Sequence, residues 1–131
     1  MVAYNFKRRF VPRIEARSKQ QTIRLVGKKR HTRAGETLTM KSGPRFKPEP
    51  VGSATCLSVD PILINLESHS VLLETPDGGA RVLIGADLET FARLDGFDCW
   101  GDMRAFFLEG QPPGASWHGI RIFWGDTFVA P

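Results

Sequence analysis

The chain has few of the residues that staple small proteins or hold metals. Its 131 residues include two cysteines, Cys56 and Cys99, and three histidines, His31, His69 and His118. Both cysteines lie in apolar stretches, so reduced core thiols of a cytoplasmic protein are expected rather than a disulfide framework. The histidines are scattered, none at metal-ligand spacing from a cysteine or carboxylate, so neither a metal nor a cofactor is expected. No apolar run approaches a membrane span, and residues 1–9 lack the apolar segment of a secretory leader, which argues against membrane insertion and export. Internal repeats, low-complexity tracts and linkers are also missing. What is left is one domain over residues 1–131, long enough to bury a core without staples.

Acidic residues are scarce in the first part of the chain. Residues 1–50 hold 14 of the 18 lysines and arginines but only Glu15, Glu36 and Glu49, a net charge of +11. Residues 51–131 hold four arginines and 11 acids, a net charge of −7. Packed into one domain, these halves become a basic and an acidic face. A basic face suits phosphate-bearing ligands, nucleic acid foremost; the plain alternative is that the halves merely attract each other.

Hydrophobic spacing and turn residues predict a mixed α+β barrel. Residues 10–17 read as a short helix or turn with Pro12 near its start, and residues 21–26 and 37–41 as strands. Between the strands lies a hydrophilic loop, Lys28-Lys29-Arg30-His31-Thr32-Arg33. Residues 42–50, with three prolines, form an irregular basic loop. Residues 51–66 read as one or two bent strands with Pro61 at an edge or bulge. Residues 70–74 and 80–84 flank Thr75-Pro76-Asp77-Gly78-Gly79, a hairpin signal with proline at the first turn position. Ala86-Asp87 caps a helix with Leu88, Phe91, Ala92 and Leu94 inward and Gly96 at its left-handed end. Asp98 caps a second helix through Trp100, Met103, Phe106 and Phe107, stopped by Gln111-Pro112-Pro113-Gly114. Residues 117–124 close the set, with Ile120 and Ile122 on one face and Arg121 and Phe123 on the other.

The stretch Ser18-Lys19-Gln20-Gln21-Thr22-Ile23-Arg24 carries the most chemistry. On a strand, Ile23 and Leu25 face one side while Gln20, Thr22 and Arg24 face the other. A bend ahead of the strand could return the Lys19 amine towards the Thr22 hydroxyl. The plain alternative is an amphipathic edge strand with a solvated polar face. Asp95 stands at a helix C-terminus, where the macrodipole disfavours a carboxylate and a nearby cation would offset the cost; Asp-Gly is also ordinary turn chemistry.

These pieces occur in a recognisable order. The lead-in Phe10-Val11-Pro12-Arg13-Ile14-Glu15-Ala16-Arg17 runs into the Lys19-to-Arg24 stretch; Arg33-Ala34-Gly35-Glu36-Thr37-Leu38 and Phe91-Ala92-Arg93-Leu94-Asp95-Gly96-Phe97 follow. Together they resemble the ASCH domain family, a branch of the PUA-like β-barrels, and especially its small phage- and prophage-type members. The resemblance covers residues 6–124 and implies a PUA-like mixed β-barrel with two or three short helices. Some members of that family remove the acyl group from acylated cytidine. The resemblance then implies Lys19 as general base, Thr22 as nucleophile and Asp95 as the group orienting the amine, where those enzymes place a glutamate. Aspartate shortens that reach by one methylene, roughly 1.5 Å.

The chemistry sets its own requirements. A threonine hydroxyl attacks an amide only if a neighbour takes its proton. A lysine does so only if burial and nearby cations keep it partly neutral; Arg24 or the 28–33 loop could supply such cations. The rival reading is an RNA- or nucleotide-binding module without chemistry. In it Lys28, Lys29, Arg30, Arg33, Arg45 and Lys47 contact phosphates, and Arg24 with an aromatic such as Trp124 or Trp100 holds a base. A ribonuclease is a third option, with His31 as the one candidate acid–base group. The expected partner throughout is RNA or a modified nucleoside, and the oligomeric state stays open.

Overall fold

Alternating burial along Thr37–Ser42 and Ser58–Asn65 marks strands that each present apolar side chains to a core. In the computed structural model, which describes all residues except Pro76 and Pro113, these strands belong to two separate sheets. The first is three-stranded, in the order β1 (Val2–Phe6), β3 (Thr37–Ser42), β4 (Glu49–Thr55). The second is five-stranded, in the order β2 (Gln21–Arg24), β8 (Ser116–Phe123), β5 (Ser58–Asn65), β6 (Ser70–Glu74), β7 (Ala80–Leu83). Three short helices complete the α+β fold: α1 (Val11–Glu15), α2 (Gly85–Leu94) and α3 (Trp100–Leu108), with a 3₁₀ turn at Arg8–Phe10. Among the described residues no strand ladder joins the sheets, so a closed barrel does not form.

Strand β1 is absent from the sequence-based assignment. It pairs in parallel with β3, Val2 opposite Leu38 and Phe6 opposite Ser42, and this distant pairing makes its five residues a strand. Strand β2 stops at Arg24, short of the expected residue 26. Leu25 and Val26 are exposed, and their apolar character does not extend the ladder to β8. The region 51–66 resolves into two strands, β4 starting at Glu49 within the expected loop. Pro61 stands in an interior strand rather than at the sheet edge. It lies one residue outside the β5–β6 ladder, which begins at Ile62 opposite Leu73, so that ladder loses no hydrogen bond to it.

The five-stranded sheet separates two cores. Ile62 and Ile64 face α2 and α3 and pack with Leu88, Phe91, Phe97, Trp100, Met103 and Phe107. On the opposite face Val59, Ile120 and Ile122 pack with Tyr4, Phe6, Leu38, Met40 and Trp124 of the three-stranded-sheet side. Phe6 meets the Trp124 indole edge-on at 6.0 Å between ring centres. Both cysteines are free, Cys56 buried and Cys99 half-buried.

Helix ends were partly misassigned. The N-cap of α2 is Ile84, not Ala86 or Asp87, and it makes no side-chain capping bond. Cys99 precedes α3 in place of Asp98, whose carboxylate instead takes the Arg13 guanidinium at 2.6 Å. The orphan Trp100 N–H donates to Glu89 from the neighbouring helix at 2.9 Å. The end of α2 is as expected. Gly96, at φ +96°, donates to Arg93 O and Phe97 N donates to Ala92 O, a Schellman closure with Asp95 as its C-cap. The predicted roles of Pro76 and Pro113 lie outside the described residues.

Candidate active site

Two left-handed turns bring the site together. Helix α1 lasts barely more than one turn, and Arg17 ends it at φ +66°. Ser18 and Lys19 N–H then both donate to Arg13 O at 3.0 Å, so the chain reverses before β2 begins. Gly96 performs the corresponding turn after α2, and Gln20 N–H bonds to Leu94 O at 2.8 Å, tying the two turns together. The Lys19 side chain therefore crosses directly under residues 95–96.

Lys19, Thr22 and Asp95 line one cavity of about 190 Å³ with Arg24, Asn5 and Lys7; Phe6, Phe10, Phe97, Phe106 and Phe107 supply aromatic wall. The three side chains are deeply buried: Lys19 and Asp95 are 3% exposed and Thr22 is 4% exposed. Lys19 Nζ donates to the backbone carbonyl of Asp95 at 2.5 Å and lies 3.5 Å from its Oδ1. The amine thus reaches the peptide oxygen of Asp95 as well as its carboxylate. The Phe10 ring lies beneath the ammonium at 4.8 Å.

Burial lowers the Lys19 pKa below the usual lysine range; Asp95 opposes this, and Arg24 adds to the lowering. Burial also pushes the Asp95 carboxyl up to about 6, against the pull of Lys19. Both directions have one cause, the cost of holding charge away from water. The Gln21 carboxamide is fully buried near this carboxylate and makes no hydrogen bond of good geometry among the described residues.

Strand register sets the surroundings of Thr22. Thr22 lies opposite Ile122 and Ile23 opposite Arg121, so Thr22 and Arg24 share the Phe6 face while Ile23 packs towards the helices. Arg24 Nε donates to Thr22 Oγ1 at 3.1 Å, and its Nη2 donates to Asn5 O at 2.9 Å. The guanidinium lies over Phe6 at 4.9 Å and Tyr4 at 5.2 Å, and burial lowers its pKa. Thr22 Oγ1 thus accepts from a cation and keeps its own proton to give. No Lys19–Thr22 hydrogen bond is formed among the described residues, so proton transfer requires the amine to turn from the Asp95 carbonyl.

The other predicted contacts lie elsewhere. Lys28, Lys29, Arg30 and Arg33 are exposed on the loop after β2, and Arg30 pairs with Glu36 at 2.8 Å. Both ring nitrogens of His31 are engaged. Its Nε2 lies 2.8 Å from Leu25 O and its Nδ1 2.9 Å from the Tyr4 hydroxyl. A carbonyl only accepts, so Nε2 carries the proton and Nδ1 accepts from tyrosine. Arg45 and Lys47 are exposed at the tip of the β3–β4 hairpin. Trp124, expected to hold a base, is 0% exposed and belongs to the core beneath Phe6; Trp100 is buried as well and donates to His69. Neither presents a ring face to solvent.

The sequence reading missed the aromatic lining and Lys7. The clue was the run Phe6-Lys7-Arg8-Arg9-Phe10, in which two aromatics bracket three cations; Phe6 and Phe10 are buried and the cations between them are exposed. Among the described residues no cluster of histidine, cysteine and acidic side chains could hold a metal, and no helix is long and apolar enough to cross a membrane. Comparison of the chain with protein-family models, with curated proteins and with solved structures gives no match.

Proposed function

We propose that the protein is an amidohydrolase of the ASCH group of PUA-like folds, removing the acyl group from N(4)-acylated cytidine. The observation that carries this reading is the convergence of Lys19, Thr22, Asp95 and Arg24 on one aromatic-walled cavity. Such a cavity suits a flat base, and a buried amine beside a hydroxyl suits acyl transfer.

Thr22 Oγ attacks the acyl carbonyl carbon while Lys19 Nζ takes the hydroxyl proton. Arg24, already bonded to that oxygen, stabilises negative charge as it develops. The C–N bond breaks, the exocyclic amine of cytosine leaves with the proton from Lys19, and an acyl ester remains on Thr22. Water attacks the ester, Lys19 takes the water's proton, and the carboxylic acid departs as Thr22 recovers its own. Asp95 holds the ammonium formed midway. The test is release of cytidine from N(4)-acetylcytidine by wild type, Lys19→Ala and Thr22→Ala. Release by the wild type alone is expected; no release, or equal release by all three, removes the reading.

Binding of RNA without chemistry is supported by the exposed Lys28, Lys29 and Arg33, none of which forms an ion pair among the described residues. That reading requires steeply salt-dependent retention of RNA in gel shifts, whereas turnover of a free nucleoside is nearly insensitive to salt.

A further inference from the structure

We propose that the cavity receives its base from a single-stranded polynucleotide, guided by the turn at residues 7–9 and the hairpin tip at residues 44–48; for the reacting base, this rests on the hydrolase reading above. At about 190 Å³ the cavity is smaller than the roughly 300–1,000 Å³ pockets that enclose whole drug-sized ligands. A base fills it, and the sugar and phosphates stay at the mouth.

The mouth is built for phosphates. Lys7 Nζ stands over the half-buried Phe106 ring at 4.9 Å, and the Arg9 guanidinium lies over Phe10, Phe97 and Phe106 at 5.0, 5.3 and 5.9 Å. Phe6 pairs with Ser42, so the turn following β1 and the hairpin following β3 leave the sheet side by side. Arg8 joins them: its Nη2 lies 3.4 Å from Glu49 Oε1, at the base of the hairpin. Arg45, Phe46 and Lys47 occupy the tip, and the Phe46 ring is 90% exposed. Lys7, Arg9, Arg45 and Lys47 form no ion pair among the described residues, whereas Arg8 between them is engaged.

Unpaired cations around a solvated aromatic ring match what a single strand requires: charges for the backbone and a platform on which a base stacks. Phe46 takes the role that the buried Trp124 cannot. The strand runs from the cavity towards the hairpin rather than across α3, because Asp102 and Glu109 beside Arg9 repel phosphate in the other direction.

Two measurements test this. The first is fluorescence anisotropy of a labelled unmodified single-stranded octanucleotide, of RNA and of DNA, from low to moderate salt. Four phosphate contacts give a slope of log affinity against log salt near −3, and Lys7→Gln with Lys47→Gln reduces its magnitude by about 1.4. Phe46→Ala weakens binding by about 5- to 150-fold. Absence of binding at low salt, or binding unaffected by these substitutions, overturns the inference whatever the enzymology shows. The second is the ratio of kcat/KM for an octanucleotide carrying one N(4)-acetylcytidine to that for the free nucleoside. A wild-type ratio of about 100, lowered by Phe46→Ala, supports the proposal; a ratio near one overturns it. Binding that depends on Phe46 without deacylation of either substrate removes the hydrolase reading and leaves the polynucleotide track standing.

Discussion

Gly96 and Lys19 are packed so closely that a methyl group on the glycine would collide with the lysine stem. A Cβ at Gly96 would lie 2.9 Å from Lys19 Cδ and 3.0 Å from Phe10 Cδ1, and the glycine also adopts φ +96°. Two demands therefore fall on one residue, a left-handed turn and room for a buried amine. Gly96→Ala is expected to cost about 2–4 kcal/mol in urea denaturation, from the backbone penalty and overpacking combined. Gly35→Ala is the control. Its φ is +89° with nothing within 4 Å of the added Cβ, so it carries only the backbone part, about 1–2 kcal/mol. Equal losses in the two variants contradict the packing of Gly96 on Lys19.

The proposed hydrolysis carries a pH dependence through the pair beneath that glycine. Burial pushes the Asp95 carboxyl up to about 6, and in that proposal its carboxylate would hold the ammonium formed as Lys19 takes the Thr22 proton. kcat/KM is therefore expected to fall as pH drops through about 6. Asp95→Asn removes that acid limb and lowers kcat by about 100-fold. A profile flat from pH 5 to 8 contradicts the assignment.

Stability responds to pH in a direction set by the same carboxyl. The folded Asp95 has a raised pKa, so the native chain holds its proton more tightly than the unfolded one. Its contribution to stability is full below the ordinary carboxylate pKa and is lost as pH rises through about 6. Lys19→Met removes the cation that opposes this rise and widens the window upward. The variant is expected to lose about 3–5 kcal/mol relative to wild type at pH 8, and less at pH 5, where Asp95 is neutral. Thermal unfolding at the two pH values reads the difference, and a loss larger at pH 5 has the wrong sign.

Arg24 bonds Thr22 and Asn5 through two different nitrogens, a geometry that an ammonium cannot copy. Arg24→Lys keeps the charge but releases the hydroxyl. Its expected effect is a drop in kcat of about 100-fold with KM little changed, measured on the free nucleoside. A purely structural arginine would instead show a loss of melting temperature with normal kcat.

Local chemistry was legible in the sequence and distant pairing was not. The Schellman end of α2 and the β6–β7 hairpin follow from glycine and turn residues within a few positions, so they could be read directly. Lys19, Thr22 and Asp95 came together as a set through the family resemblance, and the reversal at Arg17 brings them to one cavity. Strand β1 became a strand only by pairing with β3, more than thirty residues on, and nothing in its five residues announces that partner. The aromatic cavity wall was hidden with it, since Phe6 lies on β1 and Phe106 on α3. Trp124, offered in the binding-module reading as an aromatic to hold a base, directly follows β8 and lies in the second core. Likewise Glu89 took the capping role expected of Asp98, a substitution visible only once the helices pack.

The edge-on contact between Phe6 and Trp124 makes the protein its own optical gauge. Phe6 is a wall of the cavity on one side and the neighbour of a dry indole on the other, and among the described residues that indole nitrogen has no hydrogen-bond partner. A guest pressing on the phenyl ring therefore perturbs an intrinsic chromophore without touching it. In a Trp100→Phe, Trp117→Phe variant that keeps Trp124, emission wavelength is expected to report occupancy, even for a guest that is never turned over.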